Sequence, residues 1–405
     1  MLKINEVDLA IDELLPEITL VRKFLHARPE LSLKEYKTSE FIRAQLSNLD
    51  IEVLSPFLST DIVALLNGKK RNKRNKKNVT LRADMDALPI VEKNTIQYRS
   101  NNPGVMHACG HDGHAAMLLG ASMILEKFKD HLDGSVRFVF QPGEEVVAAG
   151  KDLVEKGILK DPEPIAVLAL HGWPGYPTGS ICSKSGELMA AADFFSIKMR
   201  GKGGHGSTSG QQNNPVVIAS KIVTGLSSIP EREFTADVSV VVSISKIIGG
   251  TTSNVIPNEV NIEGSTRFFD ESAGKKIPGL FEKVLKAECE HTEIKYELKY
   301  DRPYIATVND PEIINACKAV TTQYLGESAW IDIQKPVMSS EDFSYYIKGN
   351  PGGMFFLGMG EDSPGLHTNT YDFNDKALKN GIKFLVLSTF RFLSPGIFKE
   401  DESAQ

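Results

Sequence analysis

VRFVFQPGEE, residues 136–145, is the stretch on which the fold turns. Val136–Phe140 is short and rich in β-branched and aromatic residues, so it reads as a strand that a Pro-Gly pair ends, with Glu144 and Glu145 directly behind it. The arrangement recurs on either side. Val79–Ala83 runs into Asp84-Met85-Asp86, and Ile165–Leu170 runs into His171-Gly172-Trp173. Asp61–Leu66 reads as a further strand. Helical patterns lie between these strands at Gly113–Phe128 and Lys151–Ile158. A longer helical pattern precedes them, from about Asp8 to Asn48, with a break at Pro29. Strands alternating with helices predict an α/β layer around a largely parallel sheet.

Beyond about Gly186 the texture changes. A strand at Phe194–Met199, a helix at Pro215–Ile229, strands at Val238–Ile244 and Val260–Phe268, a helix at Ile277–His291 and a strand at Ile294–Tyr300 give a β-α-β-β-α-β order. After Pro303 the first texture returns: a helix at Pro311–Tyr324, a strand at Met354–Leu357 and a helix from Asp375. The expected organisation is one α/β domain, residues 1–186 and 302–405, with an α+β domain, residues 187–301, inserted in it.

Composition narrows the function classes. The chain has 405 residues, 41% hydrophobic and 24% charged, which excludes a collagen, a coiled coil or a mainly disordered protein. The net charge is −6, yet Lys69–Lys77 (KKRNKRNKK) holds seven bases and no acid; without it 39 bases would face 52 acids, a net of −13. That run lacks interleaved aromatics and lies between two predicted strands, so it reads as a solvated hairpin tip rather than a nucleic-acid-binding element. Cys109, Cys182, Cys289 and Cys317 are far apart and form no CxxC, which argues against a disulfide framework. The acidic, amphipathic N-terminus carries no signal-peptide pattern, and no apolar run approaches the ~18–20 residues of a membrane span. A reduced, cytoplasmic protein is expected.

The chemistry-bearing residues cluster. Asp84 and Asp86, Glu144 and Glu145, and His171 fall at predicted strand ends, where ligands gather in open α/β sheets. The segment His107-Ala108-Cys109-Gly110-His111-Asp112-Gly113-His114 lies just before a predicted helix, a setting that biases Cys109 toward thiolate. Three of the nine histidines fall within it. Imidazole, thiolate and carboxylate together suit zinc and its first-row neighbours better than magnesium or calcium. Of two adjacent glutamates, one can hold metal while the other serves as general base toward a water, the chemistry of amide or ester hydrolysis.

These residues carry a resemblance. RADMDALP (Arg82–Pro89), MHACGHDGH (Met106–His114), QPGEE (Gln141–Glu145), LHGWP (Leu170–Pro174), GKGGHG (Gly201–Gly206), NVIP (Asn254–Pro257), SEDF (Ser340–Phe343) and GLHTNTYDFND (Gly365–Asp375) are similar to the co-catalytic metallopeptidase family of aminoacylase and carboxypeptidase G2. The Cys-Gly-His-Asp form resembles its amidohydrolase branch, which contains hippurate hydrolases, N-acetyl-amino-acid deacetylases and auxin-conjugate hydrolases. The resemblance implies a zinc-peptidase-like three-layer catalytic domain with an inserted ferredoxin-like lid or dimerisation domain, and that domain could build a homodimer or homotetramer or leave a monomer. It implies two divalent ions per subunit, drawn from zinc, manganese, cobalt or nickel, on Cys109, His111, Glu145, His171 and His367. Glu144 would be the general base, Asp86 would orient a ligand histidine, His205 would stabilise the oxyanion, and Asn254 and Arg267 would hold the free carboxylate of an N-acyl amino acid. A dipeptidase or carboxypeptidase of the same family is the nearest alternative.

The sequence also departs from the family. STSGQQNNP follows Gly206 where a His-x-x-x-Asp-Pro pattern is usual, QPGEEVVAAGK replaces a commoner Ala- and Gly-rich segment, and Thr-Asn-Thr follows His367. Gly201–Gly206 also spells GxGxxG, a dinucleotide-binding pattern. No helix is predicted at its third glycine, and it lies outside the parallel-sheet portion, so NAD(P) binding is not expected. A non-catalytic member is disfavoured because all five expected ligands and the glutamate base are present.

Overall fold

The computed structural model describes residues 2–70, 76–207 and 213–398. Residues 71–75 of the basic run and 208–212 of the STSGQQNNP segment lie outside them. The chain forms two compact units, one of residues 1–188, 308–335 and 342–405, the other of 189–307 and 336–341. The segment 336–341 falls in the second unit, where the Ala190 N–H donates to the carbonyls of Val337 and Ser339.

The first unit is built on an eight-stranded sheet in the order 52–53, 62–67, 135–141, 78–84, 166–173, 352–358, 181–183, 330–332. Strands Ser135–Gln141, Asn78–Asp84, Ala166–Trp173 and Gly352–Gly358 run parallel to their neighbours in that order, and Ile62–Asn67 is antiparallel to the first of them. Ser135–Gln141 and Asn78–Asp84 are buried along their whole length, so the polar residues that alternate along the second, Asn78, Thr80, Arg82 and Asp84, are buried with the apolar ones. Helices Ile4–His26, His111–Lys127 and Leu378–Leu393 pack against one another, and the last two also meet the Asn78–Asp84 strand. Parallel strands share one carboxyl edge, so Asp84, Glu144 with Glu145, and His171 leave the sheet on the same side.

The second unit is a four-stranded antiparallel sheet in the order 240–249, 259–268, 191–200, 295–304. Residues of strand Glu259–Phe268 alternate between buried and half-buried, the period-two pattern of a sheet covered on one face. The covering helices are Pro215–Ser227 and Glu271–Cys289; Ile218, Ile222, Ile277 and Phe281 join Phe195, Ile197, Ile262 and Phe268 in its core.

Several helix starts differ from the pattern reading, among them those at Ile4 and Ala149, expected at about Asp8 and at Lys151. The helix expected at Gly113 begins at His111, because Gly110 takes a left-handed φ of 84° and caps it. The helix expected at Ile277 begins at Glu271, where Asp270 accepts the Ser272 N–H at 2.7 Å. Strands Ile181–Ser183 and Trp330–Asp332 are too short to show periodicity.

A buried charge network ties the first helix to the His111 helix. Arg22 reaches Asp372 at 2.8 Å, Asp375 at 2.7 Å and Asp112 at 3.6 Å. His26 Nδ1 lies 2.8 Å from Asp112 and Nε2 3.3 Å from Glu92. Burial alone would lower the His26 pKa, but Asp112 and Glu92 outweigh it and hold it up at about 10. An imidazole protonated in the fold but not in the unfolded chain stabilises fully below pH 6.5, and that contribution is lost as pH rises toward 10. The slope is at most about 1.4 kcal/mol per pH unit. His26→Gln should flatten the fall in unfolding free energy seen in urea titrations between about pH 6.5 and 9; a slope equal to the wild type's would assign it to other groups.

Candidate metal centre

Three backbone irregularities aim the side chains. Gly110, left-handed, turns the chain so that Cys109 precedes the helix while His111, Asp112 and His114 occupy its first turns. Gly143, with φ 64°, ends the QPG turn and starts the four-residue helix Glu144–Val147. His367 takes φ 62°, a conformation that costs a non-glycine residue about 1–3 kcal/mol and so must be held by its surroundings. One restraint is the His367 N–H, which donates to the Ala108 carbonyl at 2.8 Å and fastens the 365–371 loop to the Cys109 segment.

Four of the five expected ligands converge around Glu145 and Cys109, and the fifth joins through the thiol. His111 Nε2 lies 3.8 Å and His367 Nε2 3.2 Å from Glu145 Oε1. Ligand atoms of Cys109, His111 and Glu145 all fall within 4.8 Å of one another, and Cys109 Sγ is 3.5 Å from His171 Nε2. Asp86 lies beneath: Oδ1 is 3.1 Å from His111 Nδ1, and Oδ2 accepts the Ser32 hydroxyl at 2.6 Å and the Glu145 N–H at 3.1 Å. His171 Nδ1 lies 2.8 Å from the Gly172 carbonyl. A carbonyl only accepts, so His171 Nδ1 carries the proton and Nε2 keeps its lone pair.

The donor set suits a cation. His111 Nε2 and Glu145 Oε1 are buried without a hydrogen bond, a costly state for polar atoms. Burial, then the charges of Glu145, Glu144 and Asp84, push the Cys109 thiol well above its ordinary pKa. Without a cation, burial among carboxylates opposes the thiolate bias expected from a helix N-terminus. A divalent cation held there would reverse that balance and keep the sulfur as thiolate. Glu144 is 6% exposed, and one of its oxygens falls within 4.8 Å of an Asp342 oxygen.

In the second unit, His205 pairs with Val255 in a two-stranded ladder, and its Nδ1 lies 2.8 Å from Ser207 Oγ. The Asn254 carbonyl accepts the Gly206 N–H at 2.9 Å, which brings Asn254 beside His205. Arg267, on the Glu259–Phe268 strand, donates to the Met338 carbonyl at 2.8 Å. Gly204 and His205, inside the GxGxxG stretch, form one strand of that two-stranded ladder.

Some participants were not assigned from the sequence. Glu35 is fully buried; it accepts the Gly143 N–H at 3.0 Å, the Leu33 N–H at 2.8 Å and the Thr60 hydroxyl at 2.8 Å, bracing the turn before Glu144. Ser32 and Arg82 are further cases. The only sequence signal at Ser32 is proximity to Pro29; Arg82 opens the RADMDALP stretch, but no role attaches to it there.

The chain belongs to peptidase family M20/M25/M40, whose model matches residues 80–389. It is 34% identical over 93% of its length to thermostable carboxypeptidase 2 of Saccharolobus solfataricus, covering 95% of that protein. It is 38% identical over 76% of its length to N-acyl-L-amino acid amidohydrolase of Geobacillus stearothermophilus, covering 82% of it. Among solved structures, Bacillus subtilis YXEP protein, described as a dinuclear metal binding peptidase from the M20 family, superposes with a TM-score of 0.78 at 30% identity over 94% of this chain and 99% of that one. No helix among the described residues is long and apolar enough to cross a membrane.

Asp86 is the shared acceptor beneath the cluster. Asp86→Asn should keep the fold and the metal stoichiometry but weaken metal affinity about 10–100-fold in calorimetric titration; unchanged affinity would remove Asp86 from the centre's support.

Proposed function

We infer that this chain is a metal-dependent amidohydrolase that cleaves the amide bond of N-acyl amino acids. The observation that carries the reading is the pair Glu144-Glu145: Glu145 stands among Cys109, His111 and His367, while its buried neighbour Glu144 is not part of that ligand group. Cys109, His111, Glu145, His171 and His367 would hold two divalent ions, which when bound polarise a carbonyl and lower the pKa of a water toward neutrality. Glu144 takes the proton of the attacking water and returns it to the departing nitrogen. Asp86 keeps the proton of His111 on Nδ1. Arg267 and Asn254 hold the substrate carboxylate, for which a planar guanidinium is suited. His205 donates to the developing oxyanion.

The name of the Geobacillus relative supports an N-acyl amino acid as substrate, and that of the dinuclear YXEP protein supports a pair of ions. The carboxypeptidase relative favours a second reading, in which the scissile amide joins two amino acids. We read the second unit as a lid and dimerisation domain, and a homodimer or homotetramer follows from that reading. Four free cysteines support a reducing compartment, the cytoplasm.

Glu144→Ala should keep its metal and lose turnover by about 10²–10⁴-fold; near-wild-type hydrolysis would sink the mechanism. N-acetyl, N-benzoyl and longer N-acyl amino acids should be cleaved, and dipeptides poorly, in assays with zinc, manganese, cobalt and nickel. A preference for dipeptides would select the carboxypeptidase reading.

A further inference from the structure

His114 lies within the centre, yet neither of its ring nitrogens offers a free lone pair. Its Nε2 accepts the Gly172 N–H at 2.7 Å, and its Nδ1 is 2.6 Å from Asp84 Oδ1. A backbone N–H can only donate, so Nε2 is unprotonated and the Nδ1 proton is given to Asp84. The ring is thereby fixed as one neutral tautomer.

The partners on both sides are anchored. Asp84 Oδ2 accepts from Arg82 Nη1 at 2.7 Å. The same guanidinium donates from Nη2 to Asp342 at 2.9 Å and from Nε to Gln141 at 2.9 Å. Asp84, Arg82, Gln141 and Asp342 are all buried, so solvent does not compete for these bonds. On the other side, the N–H that His114 receives belongs to the peptide joining His171 to Gly172. The carbonyl of that glycine holds His171 Nδ1, and the His114 and His171 rings pack with centroids 4.4 Å apart.

We propose that His114 is a positioning residue and not a metal ligand: the buried chain Arg82–Asp84–His114 fixes the His171–Gly172 peptide and so aims His171 Nε2 at the centre. The inference rests on the metal-centre reading above. It runs against the simplest grouping by distance, in which Asp84, His111, His114 and His171 have ligand atoms within 4.8 Å of one another and would form a four-residue metal site. A lone pair already accepting a hydrogen bond, and a nitrogen already carrying a proton, cannot bind a cation without breaking both bonds.

The test is metal titration of His114→Ala and His114→Gln in the full chain, by calorimetry with zinc and by elemental analysis. The alanine variant should keep the wild-type number of metal equivalents with affinity lowered about 10–100-fold, and kcat should fall while KM stays near wild type. Glutamine restores an acceptor for the Gly172 N–H and should recover part of the affinity. Loss of one metal equivalent in either variant overturns the proposal, and so does a glutamine variant no better than alanine. Should alanine prevent folding, nitrogen-15 spectra of the zinc-loaded wild type decide. A protonated Nδ1 and a metal-free Nε2 on His114 support the relay; a metal-bound nitrogen or a proton on Nε2 overturns it. A wild-type protein that takes up no metal would instead refute the metal-centre reading itself.

Discussion

The Asp86 carboxylate is the constraint on which the centre depends. It accepts from the Ser32 hydroxyl, the Glu145 N–H and the proton on His111 Nδ1, so three separate chain segments meet on two oxygens. Each bond does something different. The Ser32 bond holds the loop between the first two helices. The Glu145 bond orients the first turn of the short helix that carries both glutamates. The His111 bond holds the ring by its Nδ1 proton with Nε2 turned toward Glu145. Because the group is buried, water cannot substitute for any of them, and an unmade bond would cost about 1–3 kcal/mol.

The layers below repeat this logic with charge. Arg82 links Asp84 to Asp342, and Asp342 accepts the Gly150 N–H at 2.8 Å, which braces the segment after the two glutamates. Farther back, Arg22 and His26 hold Asp112, the neighbour of His111. Carboxylates thus outnumber cations close to Cys109 and Glu145, and the excess lies where a divalent ion would balance it. His367 holds its left-handed conformation at the edge of that excess, which is the kind of strain that surrounding structure sustains at functional sites.

Much of the fold was legible because long apolar runs and three-to-four-residue spacing leave a mark on composition. Asn78–Asp84, Ser135–Gln141, Ala166–Trp173 and Gly352–Gly358 lie within a few residues of where the pattern put them. So do the four strands of the second unit. The errors fell at helix starts, where a single capping residue such as Gly110 or Asp270 outweighs periodicity, and at three-residue strands such as Trp330–Asp332, which have none. The centre's inner residues were visible as a cluster of unusual side chains at strand ends. Glu35 and Ser32 were not, because a carboxylate or hydroxyl that braces a turn or a carboxylate can come from any loop that folding brings near.

By itself the sequence determined which chemistry is available: thiol, imidazoles and paired glutamates at the ends of buried strands, in an order that matches a metallohydrolase family. Tertiary structure decided how those groups divide the work. His111 and His114 lie three residues apart on one helix and are chemically identical, yet one turns a nitrogen without a hydrogen bond toward Glu145 and the other has both nitrogens engaged. Nothing local distinguishes them. The difference is set by which distant partners, Asp86 for the first and Asp84 with Gly172 for the second, the parallel sheet delivers to each ring.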